Sequence, residues 1–206
     1  MDKVSTITGA ACPINQPNLN TDQILPARYL KWTRAMGIGK LLFHDLRFDA
    51  DGKEKPDFPI NRPAWRNAKV VVGARNFGCG SSREAAVYAL YDYGVRCVIA
   101  PSFGDIFSGN SIQNGLLLAT VSDAEAAEIM EALERTPELA VTVDLQEQTI
   151  VVGNRSYTFS IDPVRRMRLL NGWDDIAVTE SYRDKIAAFK ARDRGERPWA
   201  VPRDHP

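Results

Sequence analysis

The residues best suited to chemistry lie at Gly78-Cys79-Gly80-Ser81-Ser82-Arg83-Glu84. Glycines let a backbone come close to a ligand. The free N–H groups and the dipole at a helix start favour a carboxylate or a phosphate. Arg83 adds a guanidinium that can grip a carboxylate with two hydrogen bonds. Ser81 and Ser82 supply hydroxyls that can donate, accept or attack. The plainer alternative is that the two serines only cap the helix that follows. The loop is not a Walker A motif, since no Lys follows the second glycine at the required spacing. It lacks the third glycine of a dinucleotide fingerprint, and no G-x-S-x-G elbow occurs. His44 and His205 are the only histidines in the sequence. A Ser–His hydrolase is therefore not supported, and neither is a histidine-rich metal site.

A second cluster is Asn20-Thr21-Asp22-Gln23-Ile24-Leu25-Pro26, followed by the cations Arg28, Lys31 and Arg34. Alone it reads as turn chemistry with solvated side chains, or as a rim of substrate-binding groups.

These loops need a frame. Lys69–Ala74 and Arg96–Ala100 read as short buried strands, and Leu116–Val121 as a third. Between them, 83–93 reads as a helix with Ala86, Val87, Leu90 and Tyr93 on one face, ended by Gly94. A second helix is predicted over 103–114. Ser122 with Glu125 forms a capping box for a helix over 122–135. Strand, glycine loop, helix, strand, helix, strand indicates an α/β core with parallel pairing. Strands over 141–145, 149–152 and 157–161 predict an added antiparallel meander. Residues 4–14 read as a strand, 24–43 as short helical pieces broken near Gly37 and Gly39, and 48–67 as a long surface loop. A helix over 163–171 ends at Gly172, and another spans 179–194. One domain over 1–195 and an extended tail over 196–206 are expected.

The 206 residues carry 26 Lys plus Arg against 26 Asp plus Glu, so formal charge is zero. That disfavours a polyanion binder or a polybasic membrane surface. Hydrophobic residues at 44% and charged residues at 25% fit a globular chain. Cys12, Cys79 and Cys97 are odd in number and lack C-x-x-C spacing, so neither a disulfide framework nor a metal site built from this chain alone is expected. The N-terminus has no apolar signal core and no run is long enough to span a bilayer. A cytoplasmic chain with reduced thiols is the expectation, binding no nucleic acid and no membrane.

Taken in order, NTDQILPARYL, LLFHDLRF, NFGCGSSRE, APSFGDIFSGNSIQNGLL and FSIDPVRRMRLLNGWDDI resemble the small subunits of 3-isopropylmalate dehydratases, in the aconitase superfamily. The similarity runs over most of residues 5–190. It implies a swivelling β/β/α domain of the aconitase C-terminal type. It implies a hydro-lyase of leucine biosynthesis that interconverts 2- and 3-isopropylmalate, active only with a large subunit that carries the [4Fe–4S] cluster. No cofactor or metal would bind this chain. By the same resemblance Ser81 is the catalytic base. Ser82, Arg83, Asp22, Thr21 and, on a looser alignment, Arg34 bind substrate. Pro26, Ala27, Arg28, Tyr29, Leu30 and Lys31 form the loop that selects the substrate's side group, and this loop is expected to be mobile without the partner. Ala85 stands where relatives commonly have His, and Val87 where Pro is frequent. Those departures keep a second substrate open, another 2-hydroxy diacid such as a methyl-substituted malate. A carboxylate- or RNA-binding module without catalysis is the remote alternative.

Overall fold

A computed structural model describes residues 1–81 and 83–200. Contacts divide the chain into two compact units, Met1–Gly172 and Trp173–Pro206.

The first unit is built on seven strands: β1 (Thr6–Ile14), β2 (Val70–Gly73), β3 (Cys97–Ala100), β4 (Leu117–Thr120), β5 (Ala140–Asp144), β6 (Thr149–Val152) and β7 (Arg155–Thr158). Their order is β4-β3-β2-β1-β5-β6-β7. β1 joins the two halves. Its residues 11–14 pair parallel with β2, while residues 6–10 pair antiparallel with β5. β4, β3 and β2 are parallel, and β5, β6 and β7 form the expected meander. The third strand of that meander starts two residues earlier than its pattern suggests. Pairing of Val152 with Arg155 across a two-residue turn fixes it there, and Ser160 makes only an isolated bridge to Thr120.

Eight helices accompany the strands among the described residues: α1 (Thr21–Ile24), α2 (His44–Arg47), α3 (Glu84–Tyr93), α4 (Asp105–Gln113), α5 (Asp123–Arg135), α6 (Pro163–Asn171), α7 (Asp175–Glu180) and α8 (Arg183–Glu196). The period-two alternation of the parallel strands splits their side chains between two cores. Val71, Val98 and Leu118 face a core completed by Ala86, Val87, Leu90 and Phe107 of α3 and α4. Val70, Val72, Ile99 and Leu117 face the other, completed by Ile129 and Leu133 of α5 and by Leu169 of α6. α5 begins with the Ser122–Glu125 capping box, and Asp162 caps α6 by accepting from the N–H groups of Val164 and Arg165.

Segment 48–67 is not a plain surface loop. Ile60 and Trp65 are fully buried and Asn61 is 5% exposed. The cause is Arg47, itself buried. Its Nε donates to Asn61 Oδ1 (3.0 Å) and its guanidinium lies over Phe48 and Tyr93. Asn61 Nδ2 donates back to the carbonyls of Arg47 and Lys55. A buried guanidinium with these partners satisfies irregular backbone that no sheet ladder serves.

In the second unit the single helix expected over 179–194 is two helices, α7 and α8, separated at Ser181 and Tyr182. Asp174 caps the first through the N–H of Ala177 (2.8 Å). The tail carries a short 3-10 turn, Pro198–Ala200. The rest of it, 201–206, lies outside the described residues. Among the described residues no helix is long and apolar enough to cross a membrane.

Candidate active site

The glycine loop follows β2 and is clamped by backbone on both sides. Gly78 N–H donates to Leu19 C=O (2.7 Å), and Thr21 N–H to Cys79 C=O (3.1 Å). On the other flank Phe77 N–H donates to Ser102 C=O (3.0 Å), and Gly104 N–H to Phe77 C=O (2.9 Å). Ser102 Oγ accepts from Asn76 N–H (2.9 Å). Glycine at 78 is obligatory on two grounds. Its φ is +72°, and a Cβ there would lie 2.4 Å from the buried Phe107 ring. Gly80 shares the left-handed conformation, with φ +88° and room around it. Phe77, fully buried, anchors the loop to the core beneath.

This clamp presents Ser81 on the surface, two residues ahead of Arg83. Arg83 is the N-cap of α3 and makes no side-chain cap. Among the described residues the Ser81 hydroxyl makes no cap hydrogen bond to α3 either. Ser82 lies outside the described residues. Thr21 is 3% exposed, and its hydroxyl donates to Ser81 C=O (3.4 Å). It holds the serine's backbone rather than facing solvent. Asp22 stands opposite, 3.5 Å from the guanidinium of Arg83, with both side chains well exposed. So long and wet a pair is worth at most about 1 kcal/mol, and Arg83 can exchange it for another carboxylate. Glu84, in the first turn of α3, is held by Asn114 Nδ2 (2.9 Å). Ala85 packs against the core behind.

Three further residues, two of them from the Asn20–Pro26 cluster, build this geometry. Asn20 and Gln23 form a reciprocal capping box for α1 (2.8 and 2.9 Å), so Asp22 rides on a fixed turn. That x-x spacing was visible in the sequence as a capping signal. Asn114 had no local signal, since its partner is 30 residues away.

The segment 26–31, expected to select the substrate's side group, is held differently. Pro26 is buried, and Ala27–Tyr29 form a 3-10 turn. Arg28 makes a two-pronged ion pair with Asp45, one arm at 2.8 Å. The Arg28 guanidinium holds the Asp45 carboxyl down to about 2. Tyr29 packs on His44 with ring centroids 4.9 Å apart, and its hydroxyl lies 3.1 Å from His44 Nε2. His44 Nδ1 lies 3.1 Å from Asp45 Oδ1, so the histidine serves this network and not a serine. Leu30 and Lys31 are exposed.

Arg34 is not brought to the glycine loop. Its Nε lies 3.0–3.1 Å from both Asp92 oxygens, and its guanidinium lies over Tyr88 and Tyr91. Asp92 is eight residues past Glu84, about 12 Å along α3 at ~1.5 Å per residue. Arg34 lines a cavity of about 600 Å³ at that end.

Among the described residues no group of three or more His, Cys, Asp or Glu side chains could hold a metal ion. Cys12 and Cys97 are buried in opposite cores, and burial pushes both thiols up. Cys79 is half-buried in the loop, its Sγ donating to Asn18 C=O (3.3 Å). These residues do not fit an iron–sulfur cluster.

Residues 1–124 match the family model for the aconitase C-terminal domain, and residues 127–163 match the model LeuD_N. The chain is 47% identical to the 3-isopropylmalate dehydratase small subunit of Rhodospirillum centenum, over 98% of this chain and 100% of that protein. It is 46% identical to the protein of that name from Paramagnetospirillum magneticum, over 97% and 100%. A crystal structure of 3-isopropylmalate dehydratase from Methanocaldococcus jannaschii superposes with a TM-score of 0.61 at 26% identity, covering 90% of this chain and 99% of that one. The swivelling β/β/α fold of the aconitase C-terminal type is thereby established, with its parallel αβ core and added antiparallel strands. The chain belongs to the 3-isopropylmalate dehydratase small-subunit family, within the aconitase superfamily.

Proposed function

We propose that this chain is the small subunit of a hydro-lyase that interconverts 2-isopropylmalate and 3-isopropylmalate by dehydration and rehydration. The reaction belongs to leucine biosynthesis and proceeds only with a large subunit, which carries the [4Fe–4S] cluster. One observation carries this reading. The backbone of Phe77, Gly78 and Cys79 is clamped on both sides, yet Ser81, Asp22 and Arg83 all stand exposed. A rigid reactive loop with no enclosure of its own is half of a site, and a second chain must close it.

In this site Arg83 leaves Asp22 for a substrate carboxylate. Ser81 Oγ then takes the proton from the carbon next to a carboxylate. The C–H electron pair becomes the double bond as the hydroxyl leaves the neighbouring carbon, and the reverse sequence adds water back. Departure of the hydroxyl falls to groups outside this chain. A serine alkoxide is costly in water. The stabilisation is assigned to the positive end of α3, which starts three residues further on. Thr21 positions Ser81, and the segment 26–31 meets the isopropyl group. Ser82 is assigned to carboxylate binding by resemblance alone.

The test is anaerobic co-expression with the large subunit encoded by the same organism. Formation of the unsaturated diacid from 3-isopropylmalate is followed by ultraviolet absorbance. Turnover in the mixture and none with either chain alone is expected. An intact complex that is silent on isopropylmalate but active on another hydroxy diacid would overturn the substrate. A complex silent on all of them would overturn the reaction.

A further inference from the structure

Between the end of β4, the face of α4 and the start of α6 lies a cavity of about 270 Å³. It falls within the first unit, and Ser81, Arg83, Asp22 and the segment 26–31 are not in its lining. At ~30 Å³ per water it holds the volume of about nine waters, which suits a small metabolite. Its walls have two characters. Ile112, Leu118 and Ile161 give an aliphatic surface. Ser108, Thr120, Ser160, Asp162 and Arg165 give a polar one.

Ser108, 8% exposed, brings a hydroxyl to the lining. Arg165 is half-buried and has no ion pair among the described residues, whereas its neighbour Arg166 donates to the carbonyls of Leu145 and Gln146. Asp162, one turn away on the same helix, lines the same cavity and also forms no ion pair with Arg165. Asp162 is exposed, and both side chains belong to the lining of the cavity. Asp162 Oδ1 accepts the two cap N–H groups, which leaves Oδ2 available.

We propose that this cavity binds a small zwitterionic α-amino acid with an aliphatic side chain. Arg165 and the neighbouring hydroxyls take its carboxylate, Asp162 takes its ammonium, and Ile112, Leu118 and Ile161 receive the side chain. A dicarboxylate is a poor occupant, because its second charge would meet Asp162. The cavity is thus not a second copy of the substrate site. It shares Ser102 and Phe103 with the clamp on Asn76 and Phe77, so occupancy is sensed at the glycine loop.

The experiment is a titration of the full 206-residue chain with L-leucine, L-valine, glycine and 4-methylpentanoate, by calorimetry and amide NMR. Leucine or valine is expected to bind saturably with a Kd of about 1 mM or tighter. Amide shifts should fall at Ser108, Ile112 and Leu118, with smaller ones at Asn76 and Phe77. Glycine and 4-methylpentanoate should each bind at least about tenfold more weakly, lacking the side chain and the ammonium respectively. Arg165→Gln and Asp162→Asn should each weaken leucine by a similar factor. Asn still caps α6, so that variant retains the fold. No saturable binding, equal binding of 4-methylpentanoate, or binding that survives both substitutions would overturn the proposal.

Discussion

The glycine loop and the selecting segment lie on neighbouring stretches of surface and are held by opposite means. Residues 76–80 are fixed by main-chain hydrogen bonds to 18–21 and 102–104, above the buried Phe77. Residues 26–31 are fixed by side chains, the Arg28–Asp45 ion pair and the Tyr29–His44 ring contact. Main-chain clamps do not depend on which side chains are present, so the glycine loop keeps its shape when its neighbours change. A segment held by side chains can be reshaped by one or two substitutions. On the proposed function, the chemistry sits on the first kind of support and the choice of substrate on the second.

If that division is right, the largest effect belongs to the loop's own reactive group. Ser81→Ala should lower turnover of the two-chain enzyme about 10³-fold, with unfolding curves and subunit affinity unchanged. Next comes the loop's support. Gly78→Ala forces a Cβ into the Phe107 ring at a left-handed φ, and chemical denaturation should show a loss of about 2–4 kcal/mol. The selecting segment should respond more mildly and in another quantity. Asp45→Asn frees Arg28, and should cut the preference for the isopropyl substrate over unbranched malate by about tenfold while stability moves by under ~1 kcal/mol. The pH dependence of this pair has a definite sign. The folded Asp45 carboxyl is held at about 2, below its ordinary 3.8, so its small stabilising contribution is complete above about pH 4 and lost as pH falls toward 2. The smallest effect is chemical. Iodoacetamide should label Cys79 in the native chain, and Cys12 and Cys97 only after unfolding, as peptide mass spectrometry would record.

Much of the frame was legible because it rests on local signals. The strand–loop–helix order around 69–121, the Ser122–Glu125 box and Gly172 at the end of α6 are written in short windows. Ser81, Arg83 and Asp22 were marked by the loop and by ordered resemblance, and the structure places them together. What escaped depends on partners far apart in sequence. Arg47 and Asn61 are 14 residues apart in irregular chain, and their mutual hydrogen bonds turn an apparent surface loop into part of the core. The tie of Gly78 to Phe107 spans 29 positions. Arg34 joins the substrate residues only through a loose alignment of the resemblance. Asp92 and two tyrosines draw it to the far end of α3 instead. The box at Asn20 and Gln23 was visible and was read only as a turn.

The role proposed for Ser81, moving the proton beside the substrate carboxylate, can be read by deuterium exchange. The wild-type complex and the Ser81→Ala complex, matched for subunit content and cluster, are incubated with 3-isopropylmalate in D2O and followed by proton NMR. The account predicts deuterium at that carbon with the wild type, and exchange at least ~100-fold slower with Ser81→Ala. Exchange at the wild-type rate in the variant would contradict it.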